Sequence, residues 1–107
     1  MQRLYPYAEV FLPTVVVGEL IFGAENSSRA AQNLPRYMEF IELCEIIPIG
    51  KSTAIIYAQT NLSLKRKGRA ISPNDVWIAA QCIERRWTLV TDDSDFDRVD
   101  GLIVERW

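Results

Sequence analysis

The sequence predicts an α/β domain in three layers, a parallel sheet flanked by helices. Short β-rich runs alternate with helices or helix pairs along the chain, which favours parallel strands joined by right-handed crossovers. The 107 residues suit a single domain spanning 1–107 and leave no room for two. Hydrophobic residues make up 49% of the chain, enough to build a core, and no repeat or linker interrupts them.

The elements follow in order. Glu9 to Leu12 is a short β-rich run closed by Pro13. Thr14 can cap a helix reaching about Asn26, and its segment "VVVGELIFGA" is apolar on nearly every side, so it should be largely buried. Asn26, Ser27 and Ser28 break that helix and cap the next, where Leu34, Met38 and Ile41 form an apolar stripe. Glu45 to Ile49 reads as the second strand. A third helix spans about Ser52 to Lys67, with Ile55, Ala58 and Leu62 on one face. Ser72 and Pro73 open a fourth helix, serine as N-cap and proline at the first helical position. Its stripe is Val76, Ala79, Ala80 and Ile83. Trp87 to Thr91 is the third strand, residues 94–98 one helical turn, and Leu102 to Glu105 the last strand.

Composition removes several chemistries. There is no histidine, so no Ser-His-Asp or Cys-His constellation is available, and zinc is disfavoured. Neither GxSxG nor GxxxxGK[ST] occurs. Cys44 and Cys82 lie in apolar, helical contexts and read as buried thiols of a reducing compartment. No apolar run reaches the length of a bilayer span and no signal-peptide core opens the chain, so a soluble, cytoplasmic protein is expected. Net charge is −2, so contact with nucleic acid would need a local patch. The candidate is "KRKGR": Lys65, Arg66, Lys67 and Arg69. A helix end with Gly68 as its left-handed cap explains that run more simply than phosphate binding does.

Carboxylates remain. Four aspartates fall within six residues, 92–97, and clustered carboxylates without histidine suit Mg²⁺ or Mn²⁺. In an open α/β sheet, ligands bind beyond the carboxyl ends of the strands. Asp92 and Asp93 follow the third strand directly, while Asp75 and Glu19 lie near the starts of helices that begin on that same edge. Each also has a plainer reading. Asp75 can complete a capping box with Ser72, Glu19 can snorkel from its apolar helix, and Asp92 with Asp93 can form a turn. Asp95, Asp97 and Asp100 read as solvated loop acids, with Arg98 offsetting them.

The stretches "VVVGELIFGA", "IIPIGKSTAIIYA" and "ISPNDVWIAAQCIERRWTLVTDDSDFDRVDGLIVERW", in that order, resemble the PIN-domain family, and in particular the small VapC-type toxins of bacterial toxin–antitoxin pairs. The resemblance runs from about Glu9 onward. It implies a Mg²⁺- or Mn²⁺-dependent endoribonuclease with RNA as substrate, a cognate antitoxin as partner and a homodimeric state. It places the catalytic and metal-binding roles on Glu19, Asp75 and Asp93. Thr91 matches the threonine before the post-strand aspartate, Asn74 the asparagine of the Asn-Asp pair, and Asp92 the variable position between Thr91 and Asp93. These three are expected in support. Lys65, Arg66, Lys67 and Arg69 are the basic residues that could guide the RNA backbone, a role that no family motif fixes.

Two departures stand beside the resemblance. The family opens with a strand ending in Asp-Thr-Asn, and nothing in "MQRLYPYAEVF" matches it. The expectation is a PIN-like fold whose N-terminal central strand is missing, with Met1 to Tyr7 as the tail of the family's first helix. Activity would then be impaired, and a segment of a second chain could fill the gap in an intertwined dimer. Asn61 stands where many relatives carry arginine. The alternatives are a catalytically inactive PIN-like interaction or dimerisation module, and a plain α/β domain with no site.

Overall fold

Residues 10–107 are described by the structure, a computed structural model. The chain divides into two compact units, Met1–Pro48 and Ile49–Trp107. The expectations for Met1–Tyr7 and for Glu9 lie outside the described residues.

The first unit contains strand β1 (Phe11–Pro13), helices α1 (Thr14–Glu25) and α2 (Ala30–Leu43), and strand β2 (Glu45–Ile47). β1 and β2 pair in parallel, with Phe11 opposite Glu45 and Pro13 opposite Ile47. Pro13 is thus the last residue of a strand that lies at the edge of its two-stranded pair, where a missing N–H is tolerated. It also stands at the N-cap of α1. The Thr14 hydroxyl, expected to cap the helix, donates instead to the Ile47 carbonyl and ties the start of α1 to the end of β2. Ser27 organises the entry to α2: its hydroxyl accepts the Arg29 N–H and the Asn33 side-chain amide, both at 3.0 Å.

The core of this unit is Leu12, Ala24, Ile41 and Ile47. Helix α1 is less buried than its composition predicts. Only Ala24 is fully enclosed, and Phe22 is 68% exposed. Within the unit, α1 has one helix and a two-stranded ribbon to pack on, which cover a single face. The α2 stripe is likewise thinned: Ile41 is buried, Leu34 half-buried and Met38 40% exposed.

The second unit contains α3 (Lys51–Arg66), α4 (Pro73–Arg85), β3 (Thr88–Val90), a 3₁₀ turn (Ser94–Arg98) and β4 (Ile103–Glu105). β3 and β4 are parallel, with Leu89 opposite Val104. Helix α4 buries Val76, Ile78, Ala79, Ala80 and Cys82, the expected stripe widened by one face. Helix α3 corrects the sequence reading. Its buried positions are Thr53 and Leu64, whereas Ile55 and Leu62 are 49% and 46% exposed. A count of apolar residues overlooks a buried threonine, and here threonine anchors the helix. The Thr53 hydroxyl accepts the Gly50 N–H (3.0 Å) and donates to Glu84 Oε1 (2.6 Å), while Ser52 donates to the other Glu84 oxygen. A carboxylate from α4 therefore closes the first turn of α3.

The end of α3 fits the plain reading of the basic run. Gly68 has φ +66°, its N–H bonds the Lys65 carbonyl (3.0 Å) and the Arg69 N–H bonds the Leu64 carbonyl (2.9 Å). These are the two bonds of a Schellman motif.

The architecture is α/β with parallel strands, as expected. Among the described residues the strands form two parallel pairs, β1–β2 and β3–β4, rather than one continuous sheet. No helix of the described residues is long and apolar enough to cross a membrane.

Candidate metal centre

Two segments of the second unit bring three acids together. Asp75 sits in the first turn of α4. Ser72 caps that helix, its Oγ accepting the Asp75 N–H at 3.2 Å, and Pro73 fixes the first turn beside it. The backbone of Asp75 is thereby held, and its carboxylate lies in the first turn of the helix, where negative charge is favoured.

The other two acids come from the loop after β3. Thr91 is buried; its N–H bonds the Glu105 carbonyl at 3.0 Å, and its Oγ1 accepts the Asp93 N–H at 3.1 Å. Asp93 then caps the 3₁₀ turn, its Oδ1 accepting the Asp95 N–H at 2.9 Å. The result is one carboxylate oxygen from each of Asp75, Asp93 and Asp95 within 4.8 Å of one another. Asp75 and Asp95 are half-buried and Asp93 is exposed.

Of the residues expected at the site, Asp75 and Asp93 meet. Thr91 shapes the turn that presents Asp93. Asp92 is exposed, and its carbonyl accepts a bond from Arg106 Nη1 at 3.1 Å. Asn74 is an exposed first-turn residue of α4, and Glu19 is exposed in the second turn of α1, in the first unit.

Asp95 is the residue that sequence reasoning missed. The sequence places it among solvated loop acids, whereas the 3₁₀ turn folds it back beside Asp93. The helical turn expected at 94–98 gives its place in the chain but not the direction of its side chain. Asp97 and Asp100 are exposed and ion-paired: Asp97 with Arg106, and Asp100 with Lys67 at 2.6 Å. Arg98 reaches Asp95 at 3.5 Å.

This donor set fits a hard divalent cation. Three oxygen ligands on a partly open rim leave room for the waters that Mg²⁺ retains, and a cation would offset the repulsion among the three carboxylates. The cavity of about 220 Å³ bounded by Ile56, Thr60, Leu64 and Asp100 is lined by none of these three acids.

The chain resembles known proteins along most of its length. Residues 2–102 match the PIN domain. Ribonuclease VapC2 of Rickettsia felis is 31% identical over 99 residues, 92% of this chain and 74% of that protein. The tRNA(fMet)-specific endonuclease VapC of Salmonella typhimurium is 32% identical over 97 residues, 90% of this chain and 74% of that protein. The crystal structure of DNA-bound VapBC from Salmonella typhimurium superposes with a TM-score of 0.86 at 32% identity, covering 91% of this chain and 74% of that one. The chain therefore belongs to the PIN-domain family of nucleases, among relatives that are VapC ribonucleases.

Proposed function

We propose that this chain is a VapC-type endoribonuclease, the toxin of a toxin–antitoxin pair, working with Mg²⁺ or Mn²⁺. The observation that carries this reading is the meeting of Asp75, Asp93 and Asp95 in a chain that matches the PIN domain. The reading takes residues 1–107 as one PIN-like domain acting in the cytoplasm as a homodimer, with RNA as substrate and a cognate antitoxin as the restraining partner. The relatives' names support the ribonuclease activity, and their crystallisation as VapBC pairs supports the antitoxin.

Asp75 and Asp93 hold the ion in this reading and Asp95 adds a third carboxylate; the family resemblance gives Glu19 a metal-binding role as well. When bound, the metal supplies a Lewis acid that makes water a better nucleophile near neutral pH and offsets charge on the phosphate. The protein's own residues do the rest. Thr91 fixes the backbone that presents Asp93. Ser72 and Pro73 fix that of Asp75. Lys65, Arg66 and Arg69, exposed at the end of α3, offer cations to the RNA backbone, while Lys67 is engaged with Asp100. A rim of exposed and half-buried acids suits a polymer lying across the surface.

The test is cleavage of single-stranded RNA with added Mn²⁺, alongside calorimetric titration of Mn²⁺. Asp93→Asn is expected to abolish cleavage and weaken Mn²⁺ uptake at least tenfold, and EDTA to stop the reaction. Cleavage that survives EDTA overturns the mechanism. Saturable Mn²⁺ uptake without any cleavage favours the inactive interaction module instead.

A further inference from the structure

We infer that Arg106 is a positioning residue for the acid group, acting by clamping the loop that carries Asp93 and Asp95. For its functional part the inference rests on the metal centre proposed above. The Arg106 guanidinium donates from Nη1 to the Asp92 carbonyl at 3.1 Å and from Nη2 to the Asp97 carboxylate. These two acceptors stand on either side of Asp93 and Asp95 in the chain, so one side chain spans the whole presenting loop. The residue before it does related work, since the Glu105 carbonyl accepts the Thr91 N–H at 3.0 Å. Residues 105 and 106 thus tie the loop at its start, just beyond its start and near its end, and set its register against β4.

The chemistry of the clamp is specific to arginine. A planar fork can address a carbonyl and a carboxylate at once, whereas a lysine ammonium is a compact point charge on a flexible stem. An exposed ion pair alone contributes little, and the Arg106 and Asp97 side chains are 42% and 55% exposed. The weight of the argument is on geometry. Arg106 turns Asp97 toward itself, so this acid pairs with a cation while Asp93 and Asp95 turn toward Asp75. Without Arg106, Asp97 rejoins the negative field of the loop, and repulsion drives Asp93 and Asp95 apart.

Two measurements on the full chain test this. Amide hydrogen exchange followed by NMR, without metal, reads the clamp itself: Arg106→Gln is expected to speed exchange at the Asp93 and Asp95 N–H groups several-fold, leaving Val76–Cys82 of α4 unchanged. Calorimetric Mn²⁺ titration reads the consequence: the dissociation constant is expected to rise about tenfold, the scale seen when a group orienting a ligand is lost. Asp97→Asn should produce a smaller rise, and Arg106→Lys should fall between parent and Arg106→Gln. Unchanged exchange at Asp93 and Asp95 in Arg106→Gln overturns the clamp. Faster exchange with unchanged Mn²⁺ affinity overturns the positioning role while leaving the metal reading intact. A parent chain with no saturable Mn²⁺ uptake overturns the metal reading, and the positioning role with it.

Discussion

Asp75 serves two ends with two different groups. Its N–H completes the cap on α4 through Ser72, and its carboxylate joins Asp93 and Asp95. The capping and ligand readings, rivals in the sequence, are compatible in three dimensions because one uses backbone and the other side chain. Substitution should separate them. Ser72→Ala is expected to cost about 1 kcal/mol of stability, the usual worth of an N-cap hydroxyl, seen as a lower urea midpoint. Asp75→Asn keeps the N–H, so its urea midpoint should move less while its Mn²⁺ affinity falls. Asp75 and Asp93 could be found from the sequence because a helix start and a strand end announce themselves in Ser-Pro and in the apolar run before Thr91. Asp95 could not be assigned, since its direction depends on the backbone of the turn, which spacing alone leaves open.

At the scale of elements, α3 shows the limit of reading apolar periodicity. Its bounds were legible, about Ser52 to Lys67 expected against Lys51–Arg66 observed, yet the face chosen was wrong because Thr53 is fully buried and Ile55 is not. What fixes the face is a polar connection to Glu84, 31 residues away from Thr53 in sequence, and no local pattern records such a partner. Thr53→Val should therefore destabilise the chain by about 1–2 kcal/mol, because one substitution removes two hydrogen bonds; denaturant melts would measure it. The Ser52 and Thr53 hydroxyls also hold the Glu84 carboxyl below the usual glutamate range. The folded state then binds that proton less readily than the unfolded chain, so the stabilisation is complete above the ordinary glutamate value and is lost as pH falls through the depressed one. Glu84→Gln should flatten the acid limb of the stability–pH curve and leave its shape above that range unchanged.

For the whole molecule, the alternation of strands and helices made the α/β class and the parallel strands legible. The division into two parallel pairs was not, because pairing is decided by contacts between distant segments. The two cysteines offer a way to observe the molecule opening. Cys82 is 4% exposed, and burial pushes its thiol up to about 11; Cys44 is half-buried, with burial raising it less. A disulfide reagent at pH 8 should therefore react with Cys44 first. Cys82 should follow at the rate at which the second unit opens, and added urea should accelerate that second phase. Two phases of equal rate would contradict this burial.

The ion pair between Lys67 and Asp100 has a thermodynamic consequence. A cation already neutralised by its own protein displaces no condensed counterion from a polynucleotide. If RNA follows the end of α3, its affinity should depend on salt through Lys65, Arg66 and Arg69, with Lys67 silent. On a logarithmic plot of affinity against salt, Arg66→Ala should reduce the slope by about 0.7, the value for one phosphate contact on a single strand. Lys67→Ala should leave the slope where it was, and Asp100→Asn, by releasing Lys67, should steepen it.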